Sequence, residues 1–319
     1  MPLIAAQPPS GPAPTLNDVQ LIAACNIYSE GKTPSSTQVS HRLELQKKWG
    51  IKEGDTVLEL GCGQGDATSV MATAVGENGH VTAVDPAPMD YGSSSSIRDS
   101  IPSFSFLRLS GGPWTLGQAQ AYLTATPLGS RITWVQSDPV DYLTSHPTSH
   151  FDVAILCHSI FYFASPLLLR QTLTTLAKHA SRIIISEYAL STTTPSAHAH
   201  VLAVLTEAAL ECRKPTSISN VRTVVSPATL KRVAKEVGLK LETEGVVVPK
   251  TELQDGRWEL MAVMDEGFTR QVEEVVKDER EREVIYACRD ACLVAIELAG
   301  GLGECTTMDI WTGCFITKE

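Results

Sequence analysis

The chain has 319 residues, of which 43% are hydrophobic, and its formal net charge is -10 at pH 7. This length and composition suit one large domain, or one domain with sizeable insertions, around a buried core. An acidic chain without a basic run is unsuited to nucleic acid, whose binding depends on neutralising phosphates. No apolar stretch approaches the ~20 residues that a membrane-spanning helix needs.

The sequence of the amino-terminal region predicts two helices and lacks the features of a secretory signal. Residues 1–15 are rich in Pro and Ala, lack the positive and apolar segments of a signal peptide, and are expected to be disordered. Helical periodicity covers Leu16 to Tyr28, and a second helix is predicted from Val39 to Trp49. We therefore expect a helical cap over residues 16–50.

The cysteine pattern favours reduced thiols. The eight cysteines are scattered, and none forms a C-x-x-C pair. Cys288 and Cys292 can share a helical face, but two thiols without a second pair do not make a zinc site. We expect buried, reduced cysteines, a cytoplasmic location and no metal.

The stretch Thr56 to Thr68 combines a strand, a glycine-rich turn and the start of a helix. The apolar run around Glu59 is typical of a parallel strand, and Gly61, Gly63 and Gly65 follow it at every second position. Such glycines allow a tight turn and let a ligand lie against the backbone. A helix predicted from about Asp66 to Val75 points its first N–H groups into the turn, so a nucleotide-like ligand is expected.

The second strand, His80 to Asp85, also ends in an acid. Asp85 follows the glycine turn by about twenty residues, where nucleotide-binding folds place a carboxylate that accepts both ribose hydroxyls. It can alternatively be a turn or cap acid. Residues 86–130 are turn-rich apart from a helix over Leu116 to Leu123, and we expect a mobile loop near the mouth of the site.

The third and fourth strands, Ile132 to Gln136 and Phe151 to Leu156, lead into further polar residues. His158 follows the fourth strand, at the sheet edge where open α/β folds bind ligands. Histidine titrates near neutral pH, so His158 can take a proton from a substrate, or it can only shape the pocket. Tyr162 is the reserve candidate for that base.

The remainder of the chain predicts three more strands and several helices. A helical lid insert is expected over residues 191–225, where His198, His200 and Arg222 are substrate-contact candidates, most of them expected to be solvated. The other predicted elements are a helix over Leu167–His179, a strand over Arg182–Glu187, helices over Ala197–Cys212 and Ser226–Val237, a strand over Leu239–Val248, a charged helix over Thr269–Glu283, an apolar helix over Val284–Ala299, and a strand over Ile310–Thr317.

The pattern Glu-x-Gly-x-Gly-x-Gly from Glu59 to Gly65 differs from the dinucleotide motif G-x-G-x-x-G, because Asp66 stands where that motif has its third glycine. It resembles motif I of the class I S-adenosylmethionine (SAM) methyltransferases, and the Phe-Asp start of the fourth strand resembles the fourth-strand signature of the same family. Finer similarity is to a fungal secondary-metabolism group that includes the gliotoxin N-methyltransferase and the glandicoline O-methyltransferase. The segments that carry it are Gly61–Asp66, His80–Ala87, Thr115–Gln120 and Leu253–Glu259.

The resemblance implies a Rossmann-like α/β fold: a seven-stranded, mostly parallel sheet with helices on both faces, a helical amino-terminal extension and helical lid insertions. It implies a SAM-binding core over residues 51–190, and residues 226–319 would complete that core with a helical insertion between the last two strands. Asp138, after the third strand, would accept the adenine amino group, although it can also be a turn residue. The implied cofactor-binding residues are Glu59, Gly61, Cys62, Gly63, Gly65, Asp85, Pro86, Asp138, Cys157, His158, Tyr28 and His41, with Ser40 a further candidate.

The function implied is methyl transfer to nitrogen or oxygen of a small alkaloid or peptide-derived acceptor. The fourth strand is not followed by the Asp/Asn-Pro-Pro-Tyr motif of nucleic-acid and protein amide methyltransferases, which disfavours those substrates. Two alternatives remain. One is a nicotinamide-dependent oxidoreductase, which the missing third glycine disfavours. The other is a non-catalytic methyltransferase fold, which would have no chemical need for the cofactor motifs. The sequence does not indicate an oligomeric state.

Overall fold

A computed structural model describes residues 16–27, 36–92, 114–217 and 219–317. Tyr28, the disordered segment expected at residues 1–15 and much of the loop expected near the site mouth lie outside the described residues. In chain order the helices and strands are α1 (Leu16–Ala24), α2 (Ser36–Trp49), β1 (Thr56–Leu60), α3 (Asp66–Ala74), β2 (His80–Asp85), α4 (Leu116–Thr124), β3 (Ile132–Gln136), α5 (Pro139–Ser145), β4 (Phe151–Cys157), α6 (Pro166–His179), β5 (Ala180–Tyr188), α7 (His198–Glu211), α8 (Pro227–Glu236), β6 (Leu239–Val247), α9 (Arg257–Met264), α10 (Glu266–Val275), α11 (Glu279–Leu298) and β7 (Ile310–Thr317).

The seven strands form one sheet in the order β3-β2-β1-β4-β5-β7-β6. Strands β1 to β5 pair in parallel, and β7 runs antiparallel to both β5 and β6. The strand order reverses direction between β1 and β4, which is where ligands bind in open α/β sheets, beyond the carboxyl ends of the strands. The predicted Rossmann-like fold is confirmed.

Apolar side chains cover both faces of this sheet. On one face, strand residues pack with Trp49 of α2, Met71 of α3 and Leu123 of α4. On the other face, they pack with helices that include α6, through Leu169, and α8, through Leu230. Burial on both faces explains why β1 and β4 read as nearly continuous apolar runs in the sequence.

The predicted lid insert does not stand alone. Ala203 of α7 shares a separate hydrophobic core with α9, α10 and α11, through residues that include Leu260, Phe268 and Ile285. The insertion between β6 and β7 therefore forms one helical layer with the lid helix. This layer lies beside the carboxyl end of β5, because Tyr188 packs against His200 with ring centroids 4.8 Å apart.

The predicted boundary between a charged helix over 269–283 and an apolar helix over 284–299 is wrong. The break falls after Val275, and α11 begins at Glu279. Val276 is buried with an extended backbone (φ -93°, ψ 111°), and the side chain of Asp278 accepts the Glu281 N–H as an N-cap. Capping and burial therefore set the boundary where charge patterning did not. No helix in the described part of the chain is long and apolar enough to cross a membrane.

Candidate active site

The glycine turn lies at the carboxyl end of β1. Gly61, Gly63 and Gly65 all have positive φ angles, of 79°, 51° and 97°, a region that side chains with a Cβ disfavour. A Cβ at Gly61 would lie 2.5 Å from the Cβ of Ser159, so this glycine allows the turn to approach the segment after β4. At Gly63 nothing lies within 4 Å of the added Cβ, so the backbone borders open space.

Asp85, at the end of β2, supports the glycine turn directly. Its Oδ2 atom accepts the Gly63 N–H at 2.8 Å, and its Oδ1 atom accepts the Ala87 N–H at 2.8 Å. Burial raises the pKa of Asp85, and these two backbone donors oppose that rise. The carboxylate therefore has a structural role beside the predicted ribose role, and a carboxylate has further lone pairs for a ligand.

A cavity of about 710 Å³ opens at this edge of the sheet. It brings together ten of the predicted site residues, from four strand ends: Glu59, Gly61, Cys62, Gly63, Asp85, Pro86, Asp138, Cys157, His158 and Tyr162. Gly65 and His41 are not among the lining residues.

Gly65 and His41 have other surroundings. A Cβ at Gly65 would lie 2.9 Å from Trp134 and 3.0 Å from Leu123, so this glycine is required for packing. His41 is buried in α2, with its ring centroid 6.1 Å from that of His158. Burial and the adjacent charge of Arg42 lower the pKa of His41 to about 2, so its imidazole is neutral.

Three groups in the cavity wall are protonated because they are buried. Burial raises the pKa of Glu59 to about 8, although the Thr68 hydroxyl donates a 2.6 Å hydrogen bond to its Oε2 atom. Burial raises the pKa of Cys157 to about 12 and also raises that of Cys62. Both sulfurs are therefore thiols, which makes them poor nucleophiles.

Asp138 caps a helix and also borders the cavity. It is the N-cap of α5, because its Oδ1 atom accepts the N–H groups of Val140 and Asp141 at 2.8 and 3.3 Å. It also lines the cavity. Both capping bonds use the same oxygen, so the cap does not prevent a role toward a ligand.

His158 is held in an unusual conformation at the end of β4. Its φ angle is 50°, which is uncommon outside glycine, and its N–H donates to the Ser186 carbonyl at 2.8 Å. Its Nδ1 atom lies 3.5 Å from the Oε1 atom of Glu187, while both ring nitrogens are buried and have no hydrogen-bond partner. Such strain at a cavity wall is typical of functional sites.

The sequence interpretation missed several residues of this region. Arg42 and Asp66 line the cavity, as do Asn220 and Arg222 from the segment after α7, of which only Arg222 was a candidate. The expectation that most of the lid candidates are solvated is wrong for His200, which is fully buried, and correct for His198, which is exposed. Glu187 was missed because no motif marks the end of β5, although the acid at that strand end was a usable signal.

Residues 36–244 match the methyltransferase domain family, and the chain belongs to this family. It is 26% identical over 295 residues to the methyltransferases phomM' and phomM of Diaporthe leptostromiformis, covering 80% of this chain and 71% of each relative. It is also similar, at 26% identity and a TM-score of 0.76, to a cyclopropane-fatty-acyl-phospholipid synthase-like protein from Lactobacillus casei. That match covers 95% of this chain and 100% of the other.

The chain is a SAM-dependent methyltransferase. The cavity fits this cofactor on three observations: open space beside the Gly63 backbone, carboxyl groups at the ends of β1 and β2, and buried polar atoms without partners at His158 and Ser159. Glu59, Gly61, Gly63, Asp85 and Asp138 are the residues that would hold SAM.

Proposed function

We propose that this enzyme methylates a nitrogen or oxygen of a small secondary metabolite, such as an alkaloid or a peptide-derived compound. The size of the cavity supports a small acceptor, since ligand pockets of about 300–1,000 Å³ bind drug-sized molecules. The fungal source of two relatives supports the same class.

The observation that carries this proposal is the environment of His158. It lines the cavity beside the glycine turn, and its side chain is 14% exposed. Because Nδ1 faces the Glu187 carboxylate, the proton of the neutral ring is expected on Nδ1, which leaves Nε2 as the basic atom. A buried acceptor nitrogen in a ligand cavity is suited to remove a proton from an amine or hydroxyl group.

When bound, SAM supplies a methyl group already activated by a sulfonium. The protein then has two tasks. The cavity walls orient the acceptor, which supplies most of the acceleration in a displacement of this kind. His158 accepts the acceptor's proton at Nε2, and the Glu187 carboxylate stabilises the resulting imidazolium. Tyr162 also lines the cavity, but burial and then the nearby charges raise its pKa further above the ordinary value, so it stays a neutral phenol and is the weaker candidate for accepting the proton.

The test is release of S-adenosylhomocysteine, followed by mass spectrometry, from SAM and a panel of amines and phenols. We expect His158→Ala to lower turnover by about 10²–10⁴-fold and to leave S-adenosylhomocysteine affinity little changed. His198→Ala, an exposed histidine, is the matched control and Tyr162→Phe the competing variant. Full activity of His158→Ala would remove His158 from the mechanism. Binding without turnover of any acceptor would favour a non-catalytic scaffold.

A further inference from the structure

Unpartnered buried polar atoms concentrate in one region of the molecule. Among the described residues, nine buried side-chain nitrogen and oxygen atoms have no hydrogen-bond partner. Seven of the nine belong to six residues from α2, the end of β4, α7 and α9: His41, Arg42, His158, Ser159, His200 and Glu259. Native proteins leave few such atoms unpaired, so a concentration of them indicates a place where a polar ligand belongs.

These residues are joined by direct contacts. The ring of Tyr188 lies 4.8 Å from that of His158 and 4.8 Å from that of His200. The Nε2 atom of His200 lies 3.5 Å from the Oε2 atom of Glu259. We call this series, with Arg42, the polar cluster. Two of its members, His158 and Arg42, also line the cofactor cavity, so the cluster adjoins the cofactor site.

His200 lies beside the carboxyl group of Glu259 and is itself held by the backbone. The Met308 N–H donates to Nδ1 of His200 at 3.1 Å, so the proton of the neutral ring is on Nε2 and points toward Glu259. Gly256, at the start of α9, lies against the ring of His200. A Cβ at this position would lie 2.3 Å from Nδ1 of His200, so the glycine allows α9 to approach this closely. His200 therefore presents an N–H group toward the carboxyl group of Glu259.

The one arginine of the polar cluster already has a carboxylate partner. Arg42 is paired with Asp255 at 3.0 Å. Within the described part of the chain, no ion pair with Lys or Arg includes Glu259 or Glu207. Burial, and then the charge of Glu259, raise the pKa of Glu207 on α7. The described residues therefore leave the buried Oε2 atom of Glu259 for a cationic group of a ligand.

We propose that Glu259 binds a basic nitrogen of the acceptor substrate, and that this nitrogen is distinct from the atom that receives the methyl group. The two nitrogen or oxygen sites must differ because Glu259 and His158 are separated in this series of contacts: Glu259 lies beside His200, His200 packs on Tyr188, and Tyr188 packs on His158. The inference rests on the proposed function, in which His158 accepts the proton of the atom that receives the methyl group. Glu259 is then a specificity determinant: it selects acceptors that carry an amine in addition to the methylated group.

The test uses calorimetry of the full chain with tryptamine and 2-phenylethylamine against their neutral analogues, indole-3-ethanol and 2-phenylethanol. Each titration is made with and without saturating S-adenosylhomocysteine. We expect the amines to bind at least about tenfold more tightly than the alcohols, and Glu259→Gln to remove that preference. Glu259→Asp, which keeps the charge, should retain part of it. Glu252→Gln, at an exposed acid in the segment before α9, should change nothing.

The inference is overturned if the wild type binds amines no better than alcohols, or if a folded Glu259→Gln variant keeps the full preference. Circular dichroism and the S-adenosylhomocysteine affinity of the variant report its folding. A wild type that fails to bind S-adenosylhomocysteine contradicts the proposed methyl transfer instead, and the titrations without that ligand still test Glu259.

Discussion

The Nδ1 atom of His158 lies 3.5 Å from Oε1 of Glu187, on the neighbouring parallel strand. Glu187 is 1% exposed, and its orientation is fixed by two backbone donors: the Ile160 N–H to Oε2 at 2.8 Å and the Tyr188 N–H to Oε1 at 2.9 Å. A carboxylate held in this way can orient the imidazole and stabilise it when it gains a proton.

Glu187→Gln should therefore lower kcat by roughly 10–100-fold, as for other groups that orient an active-site imidazole. An orienting role should lower kcat and leave S-adenosylhomocysteine affinity little changed. A purely structural role would lower the thermal midpoint and weaken S-adenosylhomocysteine binding together with kcat. Glu297→Gln, at an exposed acid on α11, is the control.

Gly63→Val should abolish S-adenosylhomocysteine binding in a folded protein, because the new side chain would extend into the cavity. Gly54→Val is the matched control, since Gly54 also has a positive φ, of 87°, and open space around its Cβ, but lies outside the cavity lining. Calorimetry measures binding and circular dichroism measures folding. Equal affinities in the two variants would mean that the cofactor does not lie against Gly63.

Asp85→Ala should weaken S-adenosylhomocysteine binding and also lower the thermal midpoint. The first effect follows from the loss of an acceptor for ribose, at a cost of roughly 1–3 kcal/mol per unpaired group. The second follows from the hydrogen bonds that Asp85 accepts from Gly63 and Ala87. A dissociation constant within about twofold of wild type, together with a lowered midpoint, would leave Asp85 with the structural role alone.

The predicted site residues that meet at the cavity share one property: each lies at, or just beyond, the carboxyl end of a strand of recognisable pattern. Gly63, Asp85, Asp138 and His158 meet because the carboxyl ends of parallel strands share one edge of the sheet. Local pattern and this topological rule were sufficient to place them.

The residues that the sequence missed are brought to the region by tertiary packing. Arg42 lies on α2, whose polar sequence suggests a solvent-exposed helix, and Glu259 lies on α9, in an insertion that carries no motif. His200 was expected in solvent because the periodicity of α7 does not reveal that a second layer of helices covers it. Helical periodicity indicates which residues share a face, but not what packs against that face.

The last prediction concerns Glu59, whose pKa burial raises to about 8 from an ordinary value of 4.5. Below pH 4.5 the carboxyl is protonated in both the folded and the unfolded chain, and its folded-state environment costs nothing. As pH rises from 4.5 to about 8 the unfolded chain ionises first, so the free energy of unfolding should fall, by on the order of a few kcal/mol. Glu59→Gln stays neutral and should lose this part of the pH dependence, leaving the variant more stable than wild type at pH 8. Urea unfolding without cofactor at pH 5 and pH 8 measures the difference, with Glu77→Gln, at an exposed acid, as the control. Parallel pH dependences in wild type and Glu59→Gln would show that Glu59 is ionised in the folded protein, paired with a positive charge that burial alone does not reveal.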